Sequence, residues 1–167
     1  EEVEFPTPYG KFKLHAYRSL IDGRTHLALV HGKISPQKAA LVRVHAENVA
    51  SDVFHSPMFR TDCVLDQSMR AIATAGAGVL VYIRHEGWGP VTMPEEQVRE
   101  TRLKGKPVSQ NLSHYLRSYG VGAQILVDLG LKKIKLLTNQ PKKVVGLEGF
   151  GIKIVEQIPL LPKSRRS

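Results

Sequence analysis

The chain has 167 residues, of which 42% are hydrophobic and 23% charged, with a formal net charge of +9 and a single cysteine. That length suits one domain with a real core, no apolar run approaches the length of a membrane span, and one cysteine excludes an internal disulfide and a closed cysteine zinc site. The positive charge is spread out, clustering only at Lys132-Lys133, Lys142-Lys143 and Lys163-Ser164-Arg165-Arg166, without the interleaved aromatics of a single-strand binding face, so nucleic acid is not the expected partner.

Phe5-Pro6-Thr7-Pro8-Tyr9-Gly10 reads as a turn-rich opening, and Lys11 to Tyr17 alternates as a strand. Asp22-Gly23 is a hairpin signal, with His26 to His31 as the returning strand and Ala40 to His45 as a third, which predicts an antiparallel start. From Asp62 to Ala75 the spacing is helical, with Val64, Leu65, Met69 and Ile72 on one face; Gly76 and Gly78 end it, and Gly78 to Ile83 is a short buried strand. Residues 86–114, interrupted by Pro90, Pro94 and Pro107, predict a surface loop with one short helix. Gly122 to Leu129 predicts a helix closed by Gly130, Lys133 to Thr138 a strand, Pro141 to Glu148 a short helix and Gly151 to Glu156 a last strand. The expected class is α/β: a mixed sheet with an antiparallel β-rich first half followed by strand–helix–strand units. Residues 1–162 are expected to form one domain and residues 163–167 a basic tail. The first residues carry neither a basic nor an apolar leader, so a cytoplasmic location is expected.

Three stretches carry chemistry: Arg43-Val44-His45-Ala46-Glu47-Asn48, Thr61-Asp62-Cys63, and Leu136-Leu137-Thr138-Asn139-Gln140-Pro141-Lys142-Lys143. With Tyr119-Gly120-Val121-Gly122-Ala123-Gln124-Ile125-Leu126, they resemble GTP cyclohydrolase II, the family that opens riboflavin synthesis. The resemblance runs over nearly the whole chain, and it implies that family's fold, a homodimer, and dihydroxybutanone phosphate synthase as the usual fused upstream neighbour. It also implies a catalytic zinc on three cysteines, arranged as Arg-Val-His-Ser-Glu-Cys, a short spacer, and Cys-Asp-Cys.

This chain departs from the pattern at three chemical parts. Asn48 and Thr61 replace two of the cysteines and leave Cys63 alone, whereas activating water at neutral pH takes three protein ligands and an open fourth position. The family's acid two residues before the arginine corresponds to Tyr115, so the resemblance makes Arg117 a vestigial catalytic residue, with a scaffold arginine and a phosphate contact as equal readings of its side chain. The phosphate loop reads Glu86-Gly87-Trp88-Gly89-Pro90-Val91, in which Trp88 removes a charge and Pro90 a backbone N–H.

What remains as a nucleotide site by resemblance is Arg43, His45, Glu47, Asp66, Glu86, Thr138 and Lys143. Arginine and lysine at strand ends suit phosphate, Thr138-Asn139 suits a base or ribose, and Asp66 would accept from guanine. A purely structural reading pairs Glu47 with Arg43 and makes Thr138 to Pro141 a helix cap. His26, His31, His45, His55, His85 and His114 show no metal-like spacing. The expectation is a cyclohydrolase-like domain without zinc and without its activity, supporting or regulating a dihydroxybutanone phosphate synthase and binding GTP or another nucleotide weakly. Its alternatives are a hydrolase that opens the imidazole ring of GTP with a rebuilt site, and a binding module that uses the basic tail.

Overall fold

A computed structural model describes residues 2–20, 23–55, 64–84, 109–139 and 147–160, the side chains of 109–118 excepted. Seven strands form one mixed sheet: β1 (Glu2–Thr7), β2 (Gly10–Arg18), β3 (Thr25–His31), β4 (Ala40–Ala46), β5 (Gly78–Ile83), β6 (Lys133–Leu137) and β7 (Lys153–Ile158). The helices are α1 (Val49–Asp52), α2 (Val64–Ala75) and α3 (Ser109–Asp128), with a 3-10 turn at Glu148–Phe150. Spatially the strands run β1-β2-β3-β5-β4-β6-β7. Pairing is antiparallel from β1 to β5 and parallel from β5 through β4 and β6 to β7.

The period-two alternation of the strands sorts their side chains onto two faces. On β5, Val79, Val81 and Ile83 join the core under α3, with Val42, Val44, Ala123, Leu126 and Ile134. Leu80 and Tyr82 face the other way, toward the core that α2 closes with Met69 and Ile72 against Phe12 and Leu137. Helices therefore cover both faces of the parallel half, which is why β4 and β5 read as nearly continuous apolar runs. Among the described residues no helix is long and apolar enough to cross a membrane.

The mixed sheet agrees with the predicted class, and four local differences have physical causes. The opening is strand as far as Thr7, Pro6 included: β1 is an edge strand, where a missing N–H is tolerated. Its turn is tied by Thr7 Oγ1, which donates to Gly10 O at 2.8 Å and accepts from Tyr9 N. Strand β4 leaves the antiparallel succession and inserts between β5 and β6, because a strand whose side chains are buried or half-buried on both faces belongs in the covered centre. Helix α3 starts at Ser109 and carries Gly120 and Gly122 inside it. A Cβ at Gly122 would lie 3.0 Å from Val44 Cγ1, so that glycine serves close helix–sheet approach. The last strand begins at Lys153, after the 3-10 turn closes on Gly151 at φ 80°. The predicted short helix from Pro141 falls largely outside the described residues, as does most of the predicted surface loop.

Candidate functional site

The parallel strands β4, β5 and β6 end at one edge of the sheet, and in such sheets that edge is where ligands sit. The chain turns there at Asn48, the N-cap of α1: its backbone is extended and its side-chain oxygen accepts from Ser51 N at 3.2 Å. Asp52, at the far end of the same turn, reaches back and accepts from Asn48 N at 3.0 Å. The two bonds reproduce the reciprocal logic of a capping box, displaced by one residue.

The Asp52 carboxylate also collects two side chains from the strands. His45 Nε2 lies 3.0 and 2.9 Å from its two oxygens, and Tyr82 OH donates to Oδ2 at 2.9 Å. His45 and Tyr82 are register partners on β4 and β5, and their rings stack with centroids 5.4 Å apart. Because an ionised carboxylate only accepts, His45 donates to it from Nε2; its Nδ1 is buried and has no partner among the described residues. The knot is shielded from solvent, with the His45 side chain 7% and that of Asp52 3% exposed.

Burial alone would raise the Asp52 carboxyl, but the His45 hydrogen bond and charge, the Asn48 N–H and the Tyr82 hydroxyl together hold it below the ordinary aspartate range. Burial and the Asp52 charge push the Tyr82 hydroxyl far above the usual phenol range. Tyr82 is thus a fixed proton donor at neutral pH, and Asp52 a fixed anion.

Around the knot, Arg43 Nη1 donates to Leu137 O at 3.0 Å, linking β4 to the end of β6. Thr138 follows, buried, with its N–H on Ile158 O at 2.9 Å. Glu47 N donates to Ile83 O at 2.8 Å, and its carboxylate stands 3.7 Å from Arg84 Nε. Arg84 N in turn donates to Nδ1 of the buried His26 at 3.1 Å. Asp66 lies half-buried in the first turn of α2. The strand ends therefore gather Arg43, His45, Glu47 and Thr138. Glu47 thus has Arg84 as an ion-pair partner.

Residues 1–159 match the GTP cyclohydrolase II family. The chain belongs to that family. Among its relatives, the "Riboflavin biosynthesis protein RibBA" of Aquifex aeolicus is 45% identical over 166 residues, covering 95% of this chain and 40% of the relative. The protein of the same name from Bacillus subtilis is 40% identical over 167 residues, covering 95% and 42%. A solved structure described as RibBX, a two domain 3,4-dihydroxy-2-butanone 4-phosphate synthase from A. baumannii, superposes with a TM-score of 0.58 at 28% identity, covering 95% of this chain and 39% of that one. This chain thus spans about two fifths of the length of the curated relatives it matches. It is a GTP cyclohydrolase II-like domain.

For the remaining family positions, Arg117 and Tyr115 lie on α3. Thr61, Cys63, Glu86 and Lys143 lie outside the described residues. Among the described residues no three of His, Cys, Asp and Glu come close enough to share a metal ion. Two residues of the knot, Asp52 and Tyr82, escape sequence reading. The local signal for Asp52 was an Asn N-cap with an acid four residues on; Tyr82 had only its place inside an apolar strand.

Proposed function

We propose that this chain is a GTP cyclohydrolase II-like domain that has lost the zinc site and with it the cyclohydrolase activity. It acts as a supporting or regulatory partner of a dihydroxybutanone phosphate synthase. The observation that carries the reading is at position 48. The resemblance puts a zinc cysteine there, and this chain has a neutral amide whose oxygen is committed to capping α1. A carboxamide oxygen is a poor zinc donor, and one already holding an N–H is poorer still. Asp52 offers no substitute, because His45, Tyr82 and Asn48 N already occupy its oxygens. Among the described residues the donors at hand do not fit zinc.

The partner follows from the company the family keeps. The relatives run to more than twice the length of this chain, and the structural neighbour is a two-domain protein described as the synthase. In this role residues 1–162 form one domain, and Arg43, His45, Glu47, Asp66, Glu86, Thr138 and Lys143 retain at most weak affinity for a nucleotide. The deciding test is metal analysis of the purified protein together with GTP turnover in the presence of added zinc. Less than a tenth of an equivalent of zinc per chain (about a tenth marking loss of a high-affinity site) and no turnover are expected. Stoichiometric zinc with turnover would instead establish a hydrolase with a site rebuilt around Cys63.

A further inference from the structure

We infer that the Asp52 carboxylate, rather than a metal ion, fastens α1 to the ends of β4 and β5. The inference rests on the metal-free reading of position 48 and goes beyond it, because it assigns the structural role to a protein group. Helix α1 is a single turn of four residues. A turn that short does not persist by its own hydrogen bonds, so something must anchor it. Its anchors converge on one carboxylate: the His45 ring from β4, the Tyr82 hydroxyl from β5 and the Asn48 N–H where the turn begins. His45 and Tyr82 stand at the same register position of adjacent parallel strands, so the pair presents its donors side by side. The ladder then continues past β4 through Glu47 N on Ile83 O, which brings Asn48 to the place where Asp52 can reach it.

Every link in this set is supplied by the chain itself. A metal-fastened turn would leave donor atoms aimed at a shared point; here Asn48 Oδ1 turns back onto Ser51 N and both Asp52 oxygens are engaged. The two side chains are also largely shielded from solvent, which strengthens the bonds to the carboxylate.

The test is hydrogen–deuterium exchange of the segment from Asn48 to Phe54, followed by mass spectrometry in the whole protein that carries this domain. The wild type is expected to exchange at the same rate with EDTA, with added zinc and with neither. Asp52→Asn is expected to raise the segment's exchange roughly tenfold or more, since a buried donor set loses its charged acceptor. Tyr82→Phe, which removes one bond and leaves the rest, should raise it several-fold and keeps the question answerable if Asp52→Asn does not fold. Exchange that stays at the wild-type rate in both variants, with EDTA also without effect, overturns the inference and leaves the proposed function standing. Exchange in the wild type that EDTA accelerates overturns both.

Discussion

Asp52 holds its charge inside the protein only because three donors meet it, and this sets the pH response of the fold. Its carboxyl lies below the ordinary range in the folded state, so its contribution is fully present above the unfolded value of about 4 and is lost as pH falls through the lower folded value. Tyr82 has the opposite sign. Its hydroxyl titrates above the ordinary phenol, so its contribution is complete below about 10 and is lost as pH rises beyond it. Tyr17, buried in part and donating to Asp128 at 2.9 Å, steepens the same alkaline limb. Denaturant midpoints measured from pH 3 to 11 (roughly the span between the two limbs) should therefore show a plateau with a fall at each end. Asp52→Asn should flatten the acid fall; an acid limb identical to the wild type would show that other carboxylates set it. Tyr82→Phe should cost about 1.5–3 kcal/mol at neutral pH, the range for a hydrogen bond to a charged group.

Two glycines let the elements around the site approach one another. On β5, a Cβ at Gly78 would stand 2.4 Å from Leu41 O, a backbone atom of the neighbouring strand. On α3, the nearest atoms to the Cβ of an alanine at position 122 would belong to the Val44 side chain. Backbone yields less readily than a side chain, so Gly78→Ala is expected to destabilise by about 3 kcal/mol and Gly122→Ala by about 1 kcal/mol. Equal losses in chemical denaturation would contradict that ranking. The same glycines explain what was legible. Alternation and helical spacing located β2 to β6 and α2, because those elements bury one stripe or two faces and their sequences say so. Gly120 and Gly122 concealed the first half of α3, since glycines look like helix breakers in sequence even where, as at Gly122, one serves tertiary approach. Pro6 concealed β1 in the same way. Of the site, Arg43, His45, Glu47 and Thr138 were legible through the family motif. Asp52 and Tyr82 were not, because their meeting depends on strand register across 30 residues of chain.

At the scale of the whole molecule, the domain is one part of what its relatives contain. If it supports a synthase, deleting it from the full protein should lower the synthase rate, whereas replacing Arg117 with Ala should leave that rate unchanged. Steady-state synthase assays on the two variants decide this, and a rate indifferent to the deletion would remove the supporting role. The strand order has a consequence for how the chain is made. Strand β4 leaves the ribosome before either of its neighbours: β5 follows at residues 78–83 and β6 only at residues 133–137. Until then Ala40, Leu41 and Val42 have no partner on the β6 side, and the nascent domain carries an open apolar edge through much of its synthesis. Nonsense or frameshift products ending before residue 133 would keep that edge permanently, and they should be the fragments that chaperones bind and proteases clear.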